Sequence, residues 1–154
     1  MKVIILGADG QLGKDLQDAL AGMDIVPLDV GELNISDRER TRDVVAKEQP
    51  AWVVNCAAKT DVDRCEEEEA KAYDVNTLGA RNVAEACDTA GAKLIHISTD
   101  YVFDGFKDRA YVEDDQTAPL NVYGITKLGG ELYVKNRCKA HYVLRTSGLY
   151  GLNP

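Results

Sequence analysis

A tyrosine and a lysine stand four residues apart at Tyr123 and Lys127, and a threonine, Thr99, stands twenty-four residues before the tyrosine. On a helix, positions i and i+4 share a face. An ammonium there can lie beside a phenol and bring its proton, of ordinary pKa ~10, closer to neutrality. Such a phenol suits acid catalysis. By itself the Tyr-x-x-x-Lys pair also decorates many solvated helices, so its weight comes from its setting. Ser98-Thr99-Asp100 closes an apolar run, Leu94-Ile95-His96-Ile97, and the chain opens with the loop Gly7-Ala8-Asp9-Gly10-Gln11-Leu12-Gly13. Glycines at 7, 10 and 13 between a strand and a helix let the backbone turn tightly and approach a pyrophosphate, whose charge the helix N-terminus stabilises. The alternative is a glycine turn of structural use only. Taken together these features imply a hydride passed from a nicotinamide to a ketone carbon. Thr99 then hydrogen-bonds the carbonyl oxygen, Tyr123 gives it a proton, and Lys127 tunes the phenol and binds the nicotinamide ribose.

Other positions extend this site. Asp29 ends a second apolar run, 22 residues after Gly7, where a carboxylate either accepts hydrogen bonds from the adenosine ribose or caps the strand end. Its charge disfavours a ribose phosphate and favours NADH, whereas Lys14 and Arg38 are cations that a phosphate in NADPH can use, so the cofactor stays open between the two. Asn55-Cys56-Ala57-Ala58 follows a third run, and its small residues let a nucleotide pass close to the backbone, with Lys59 at the edge of the same space. Asn76 sits on a helix where its amide can bridge backbone groups near the active centre or simply face water. His96, between apolar neighbours in a strand, reads as a packing histidine. The acidic stretch Asp61 to Glu69 reads as a helix N-terminus facing water rather than a cation site.

These groups need a scaffold. Strands are expected at Lys2–Leu6, Ile25–Val30, Ala51–Asn55, Lys93–Ser98 and Tyr142–Thr146, and helices at Gln11–Ala21, Asp37–Glu48, about Ala70–Ala90 ending at Gly91, and Asn121–Lys139. Their alternation implies an α/β doubly wound parallel sheet, a Rossmann fold of three α/β/α layers, with ligands at the carboxyl edge of the strands. Residues Asp104 to Pro119 are polar, turn-rich and long for a plain connection, so a loop over the site is expected. The whole chain, 1–154, reads as one nucleotide-binding domain without repeat or linker.

Composition narrows the classes. Of the 154 residues 45% are hydrophobic and 29% charged, ordinary values for a chain that can bury a core. No apolar run is long enough for a bilayer, which leads to the expectation of a cytoplasmic protein without a membrane partner. The net charge of -8 argues against nucleic acid, whose phosphates need an excess of Lys and Arg. Cys56, Cys65, Cys87 and Cys138 show neither C-x-x-C spacing nor histidines at ligand spacing, so reduced thiols are expected, with Cys56 in the core.

With these residues in view, the chain resembles the extended short-chain dehydrogenase/reductases, most closely those that reduce the 4-keto group of a dTDP-sugar. The phrases that carry the resemblance are Gly10-Gln11-Leu12-Gly13, Asn55-Cys56-Ala57-Ala58 with Thr60-x-Val62-Asp63, and Ser98-Thr99-Asp100-Tyr101-Val102-Phe103-Asp104-Gly105. To these are added Asn121-Val122-Tyr123-Gly124-x-Thr126-Lys127 with Gly130-Glu131, and Arg145-Thr146-Ser147. The resemblance implies that Thr99, Tyr123 and Lys127 are catalytic and that Thr99 and Asp100 touch the sugar. It places Gly7, Gly10, Gln11, Leu12, Gly13, Asp29, Val30, Asn34, Ile35, Ala57, Ala58, Lys59 and Asn76 on the cofactor, with Tyr123 and Lys127 reaching it too. The reaction implied is reduction of dTDP-4-dehydro-L-rhamnose to dTDP-L-rhamnose by NADPH or NADH. A nucleotide-sugar epimerase is an alternative within the superfamily. Another is a non-catalytic NADP-binding regulatory subunit similar to the β subunit of methionine adenosyltransferase. Dehydratases of the superfamily carry a second acid after Thr-Asp, where this chain has Tyr101.

Three positions depart from the family pattern: Lys59 stands for an aromatic residue or His, Asn34 for an Asp near the adenine, and Gly148 for a Trp near the sugar. Family members also continue into a smaller domain that grips the nucleotide sugar. Its absence from this chain leads to the expectation that the chain alone is inactive, although a homodimer is compatible with it. Some members bind Mg2+ between subunits. Asp15 corresponds to one ligand, the rest lie outside this chain, and no metal is expected here.

Overall fold

Strands and helices alternate as their apolar periods require. The computed structural model describes residues 1–151, and residues 152–154 of the expected domain lie outside the described residues. Five parallel strands, Lys2–Leu6 (β1), Asp24–Leu28 (β2), Trp52–Asn55 (β3), Lys93–Thr99 (β4) and His141–Thr146 (β5), form one sheet in the order β2-β1-β3-β4-β5. In β1 the side chains alternate between two buried faces. Ile4 and Leu6 join the larger cluster with Val53, Val83, Leu94 and Val134, while Val3 and Ile5 join Val54, Leu16 and Leu20 on the other side. A strand buried on both faces carries an unbroken apolar run, and full burial of a residue such as Ile4 or Ile5 stabilises by about 1.5–3 kcal/mol.

Helix α1, Gln11–Ala19, covers one face, and α2 (Arg38–Glu48), α5 (Ala80–Ala90) and α6 (Val122–Arg137) cover the other, giving the three expected layers. From β1 the chain winds to β2 on one side and later to β3 on the other. The crevice between the carboxyl ends of β1 and β3 is therefore the topological switch point where such sheets hold ligands.

The helix expected over 70–90 runs without a break to its end at Gly91, but its middle is wound more widely. Val62–Glu67 (α3) and Glu69–Ala72 (α4) lead into a π-helical stretch, Tyr73–Gly79, before α5 begins. The wider π turn turns Asn76 and Thr77 towards α6, where Asn76 Nδ2 donates to Thr126 Oγ1 at 3.1 Å and Thr77 Oγ1 to the Thr126 carbonyl at 2.7 Å. These bonds compensate the altered ladder. Gly91, read as the end of this helix, sits in the left-handed region with φ 69°.

Helix α6 carries Tyr123 and Lys127, and its start is secured twice. Asn121 Oδ1 accepts from the Gly124 amide at 2.8 Å, and Glu66 Oε1, one of the acidic-stretch residues read as facing water, accepts from the Val122 amide at 2.7 Å. Asn121→Ala is expected to cost about 1 kcal/mol, read as a lower midpoint in urea, with Asn121→Gly costing a few tenths. Equal midpoints for the alanine variant and wild type would contradict the cap.

Candidate functional site

The cavity at the switch point has a volume of about 830 Å³, within the range of about 300–1,000 Å³ of small-molecule sites. Its floor is the glycine turn. Gly7 has φ 76°, and a Cβ there would lie 2.7 Å from the Ala57 nitrogen; a Cβ on Gly13 would overlap the Gly7 carbonyl oxygen. Absent side chains thus let β1, the Cys56–Ala57 segment and α1 close up on one another. Gly10 precedes α1 without a side-chain cap, so first-turn amides face the cavity mouth with no side-chain acceptor of that kind. A backbone cradle that side chains would fill, at the N-terminus of a nine-residue helix, fits an anionic pyrophosphate. Gly7, Gly10, Gln11, Leu12 and Gly13 all line it.

Asp29, Val30, Asn34 and Ile35 line the next part of the wall. Asp29 Oδ2 accepts from the Asp9 amide at 3.0 Å and Oδ1 from the Val30 amide at 2.7 Å, so the carboxylate caps the strand end while facing the cavity. The strand-end cap is the reading of this residue that these bonds match. Of the two cations that a ribose phosphate might have used, Arg38 pairs with Glu85 at 2.9 Å, and neither it nor Lys14 lines the cavity.

Ala57, Ala58 and Lys59 form the opposite wall. Lys59 Nζ lies 2.6 Å from Glu68 Oε2. Asn76 does not line the cavity and so stands apart from the cofactor group in which the sequence placed it. Its Oδ1 accepts from the Lys59 amide at 2.8 Å and its Nδ2 donates to the Lys59 carbonyl at 3.0 Å, which spends the amide on holding that wall. Bridging of backbone groups is the half of the expectation that matches this arrangement.

Thr99, Tyr123 and Lys127 come together at the far end. The Thr99 hydroxyl accepts from the Tyr101 amide at 3.2 Å and donates to Asp100 Oδ1 at 3.2 Å, which places it over the single 3₁₀ turn Asp100–Val102. Asp100 itself is exposed and lies at the rim, outside the cavity lining. Lys127 is buried, and its Nζ donates to the Ile97 carbonyl at 2.7 Å. Burial pushes this ammonium down to about 8, against the opposing pull of Glu131 and Cys56.

The phenol departs from expectation. Tyr123 is pushed above its ordinary value, chiefly by burial, with the Thr99 hydroxyl pulling the other way and Cys65, Asp100 and Tyr101 adding to the rise. The ammonium is spent on the Ile97 carbonyl, so its expected lowering of the phenol does not govern here. A phenol so placed keeps its proton until a stronger base forms beside it.

Several residues went unassigned to the site by sequence. Thr146, Ser147 and Leu149 line it because β5 pairs with β4 in parallel register, Thr146 opposite Thr99. The end of a strand adjacent to a candidate strand is a signal that could have found them. Cys56, expected in the core, is half-buried at the cavity wall, its thiol pushed up to about 11 by burial against the pull of Lys127. His96 is buried as a packing residue, with Asn55 Nδ2 at 3.2 Å from Nδ1 and, among the described residues, no hydrogen-bond partner for Nε2. The 104–119 loop contributes no residue to the cavity lining. It is tied to its own start instead, through the Phe103–Tyr111 stack at 4.3 Å and the Tyr111 hydroxyl on Asp104 at 2.5 Å. Among the described residues no cluster of three or more His, Cys, Asp or Glu side chains is arranged to hold a metal, and no helix is long and apolar enough to cross a membrane.

Over residues 1–154 the chain matches the family described as RmlD substrate binding domain. It is 45% identical over 151 residues to the dTDP-4-dehydrorhamnose reductase of Streptomyces griseus, covering 96% of this chain and 50% of that protein. The crystal structure of a dTDP-4-dehydrorhamnose reductase from Clostridium acetobutylicum superposes with a TM-score of 0.97 at 42% identity, covering 100% of this chain and 56% of that one. The Bacillus anthracis dTDP-4-dehydrorhamnose reductase in complex with NADP gives 0.94 at 46% identity, covering 97% and 54%. The chain spans about half the length of the curated relatives it matches.

Proposed function

Because the chain belongs to the RmlD substrate binding domain family, we propose that it is the nucleotide-holding part of a reductase that converts dTDP-4-dehydro-L-rhamnose to dTDP-L-rhamnose. The observation that carries this reading is the convergence of Thr99, Tyr123 and Lys127 on the cavity whose other end is the Gly7–Gly13 turn. When bound, NADH or NADPH supplies the hydride. The protein supplies the rest. The α1 amides and the glycine turn hold the pyrophosphate, Asp29 accepts hydrogen bonds from the adenosine ribose, and Val30, Asn34 and Ile35 flank the adenine. Ala57, Ala58 and Lys59 form the wall that Asn76 keeps in place.

At the reacting end Thr99 donates to the 4-keto oxygen and sets it beside Tyr123. As that oxygen gains charge it becomes a far stronger base than a phenolate, and the proton on Tyr123 Oη moves to it. Lys127 donates to the nicotinamide ribose hydroxyls. Asp100, at the rim, meets the sugar from outside the cavity. Thr99 and Asp100 are thus the residues of this chain that meet the sugar, and the chain spans about half the length of the relatives that carry out the whole reaction. A Mg2+ ion between subunits belongs to that longer form. A biosynthetic reductase of this kind works in the cytoplasm.

Two measurements test the reading. Calorimetric titration of this chain with NADH is expected to show one site, and the protein at the length of its relatives is expected to oxidise NADH or NADPH on addition of dTDP-4-dehydrorhamnose. Failure of both refutes it. Between the cofactors, the Asp29 carboxylate and the withdrawal of Arg38 onto Glu85 favour NADH.

A pH dependence follows from Lys127. Its ammonium form is the one that donates, so affinity for NADH is full below about 8, the value to which burial pushes this group. Above it, binding must first return a proton to the amine, and affinity falls about tenfold per pH unit. Fluorescence titration of NADH on both sides of that value checks this, and an affinity flat across the range would remove Lys127 from the cofactor.

A further inference from the structure

Behind the cavity lies an ion pair that none of these roles uses. Glu131 is fully buried on α6, one helical turn beyond Lys127, and accepts from Arg145 Nε at 2.8 Å and Nη2 at 2.7 Å and from Ser98 Oγ at 2.7 Å. Ser98 and Arg145 face one another in the β4–β5 register, in the row immediately before Thr99 and Thr146. Both side chains converge on the one carboxylate that α6 presents. From the preceding turn Lys127 holds the Ile97 carbonyl. Helix α6 therefore grips two consecutive residues of β4 through side chains at i and i+4, and the next residue is Thr99.

A well-packed apolar pair would join these elements at less desolvation cost, so the buried charge asks for a use, and Lys127 provides one. The titratable groups facing that ammonium are Tyr123 and Glu131 from α6, His96 from β4 and Cys56 from the segment after β3, with Arg145 of β5 behind Glu131. Burial, seconded by Lys127, drives the His96 imidazole well down, and burial raises the Cys56 thiol and the Tyr123 phenol, so all three are neutral near pH 7. Burial would raise the Glu131 carboxyl as well, but hydrogen bonds from Arg145 and Ser98 and the charges of Arg145 and Lys135 outweigh it and keep it ionised. Glu131 is the one anion of the set.

We propose that Glu131, held by Ser98 and Arg145, is a positioning residue that locks the Thr99 end of β4 to the Lys127 turn of α6 and acts as the counter-charge of that buried ammonium. Its consequence for the reaction rests on the function proposed above, whereas the charge coupling stands independently of it. The experiment titrates Lys127 in the ligand-free chain by NMR of isotope-labelled lysine side chains, with K127M identifying the resonance. The wild-type midpoint is expected at about 8. In E131Q it is expected to fall by about one pH unit or more, and NADH affinity at neutral pH falls with it. K135A, which removes only the exposed partner of Glu131, leaves the midpoint close to wild type. Should E131Q not fold because Arg145 is left without an anion, E131Q/R145Q is compared with R145Q, the two differing only in the Glu131 charge, and the midpoint is expected lower in the double variant. A midpoint that is the same with and without the Glu131 carboxylate, in the pair that folds, overturns the proposal. A wild-type chain that binds no NADH refutes the proposed function, and the Lys127 titration still decides this one.

Discussion

Replacing Tyr123 with phenylalanine, in the protein at the length of its relatives, is expected to lower turnover of dTDP-4-dehydrorhamnose by about 10²–10⁴-fold with NADH affinity nearly unchanged. The ring is retained, so its edge contact with Tyr101, at 5.6 Å between centroids, and its share of the cavity wall survive. What disappears is the hydroxyl that touches Thr99 and carries the proton. Burial raises the phenol above its ordinary value, so in the wild type the group is loaded as an acid throughout the neutral range, and its loss leaves the developing alkoxide without a donor. The deficit should fall on kcat rather than KM, since the interaction exists only as charge develops. Steady-state NADH oxidation measures it. A variant that turns over at the wild-type rate would take Tyr123 out of the chemistry, and one that fails to bind NADH would give it a cofactor role instead.

The second large effect is structural. Gly7→Ala is expected to destabilise the chain by about 2–5 kcal/mol and to abolish NADH binding. The figure joins about 1–2 kcal/mol for placing a Cβ in the left-handed region to about 1–3 kcal/mol for overpacking. At Gly7 φ is 76° and the added carbon meets the Ala57 nitrogen at 2.7 Å and the Cys56 carbonyl carbon at 2.9 Å. The turn cannot yield easily, because the Gly7 amide is bonded to the Leu28 carbonyl at 2.9 Å and the Cys56 amide to the Leu6 carbonyl at 2.9 Å. Gly91→Ala is the control. Its φ of 69° is similar but nothing lies within 4 Å of the added carbon, so only the conformational cost of about 1–2 kcal/mol remains. Urea unfolding of both variants, with the NADH titration of each, separates steric exclusion at the nucleotide cradle from general backbone strain. Equal losses at the two positions would contradict the close-approach argument.

The glycine turn and the strand ends were readable because their causes are local. A short aliphatic run, three glycines and an amphipathic α1 can be recognised within a window of twenty residues, and Gly91 marked the end of α5 for the same reason. The extent of helix 70–90 was readable too, but its π-helical middle was not, because that register is set from outside. Asn76 and Thr77 are claimed by Lys59 and Thr126, which lie far away in sequence and are brought close by packing. The loop after Val102 looked long enough to cover a site, but it adds no residue to the cavity lining, and Arg145 ties it down through the Phe103 ring at 5.0 Å and the Glu113 carbonyl at 3.2 Å.

Charge shows the same division. Residue types, spacing and hydrophobic period were enough to specify a doubly wound α/β sheet and to place Thr99, Tyr123, Lys127 and the Gly7–Gly13 turn at its carboxyl edge, since each depends on steric and periodic rules acting over a few residues. How those groups ionise was settled only when distant segments met and excluded water. Lys127 then turned to the Ile97 carbonyl, Tyr123 rose instead of falling, and Glu131 became an anion enclosed by Ser98 and Arg145. A pKa answers to burial and to neighbours in space, and neither is written in the order of the residues.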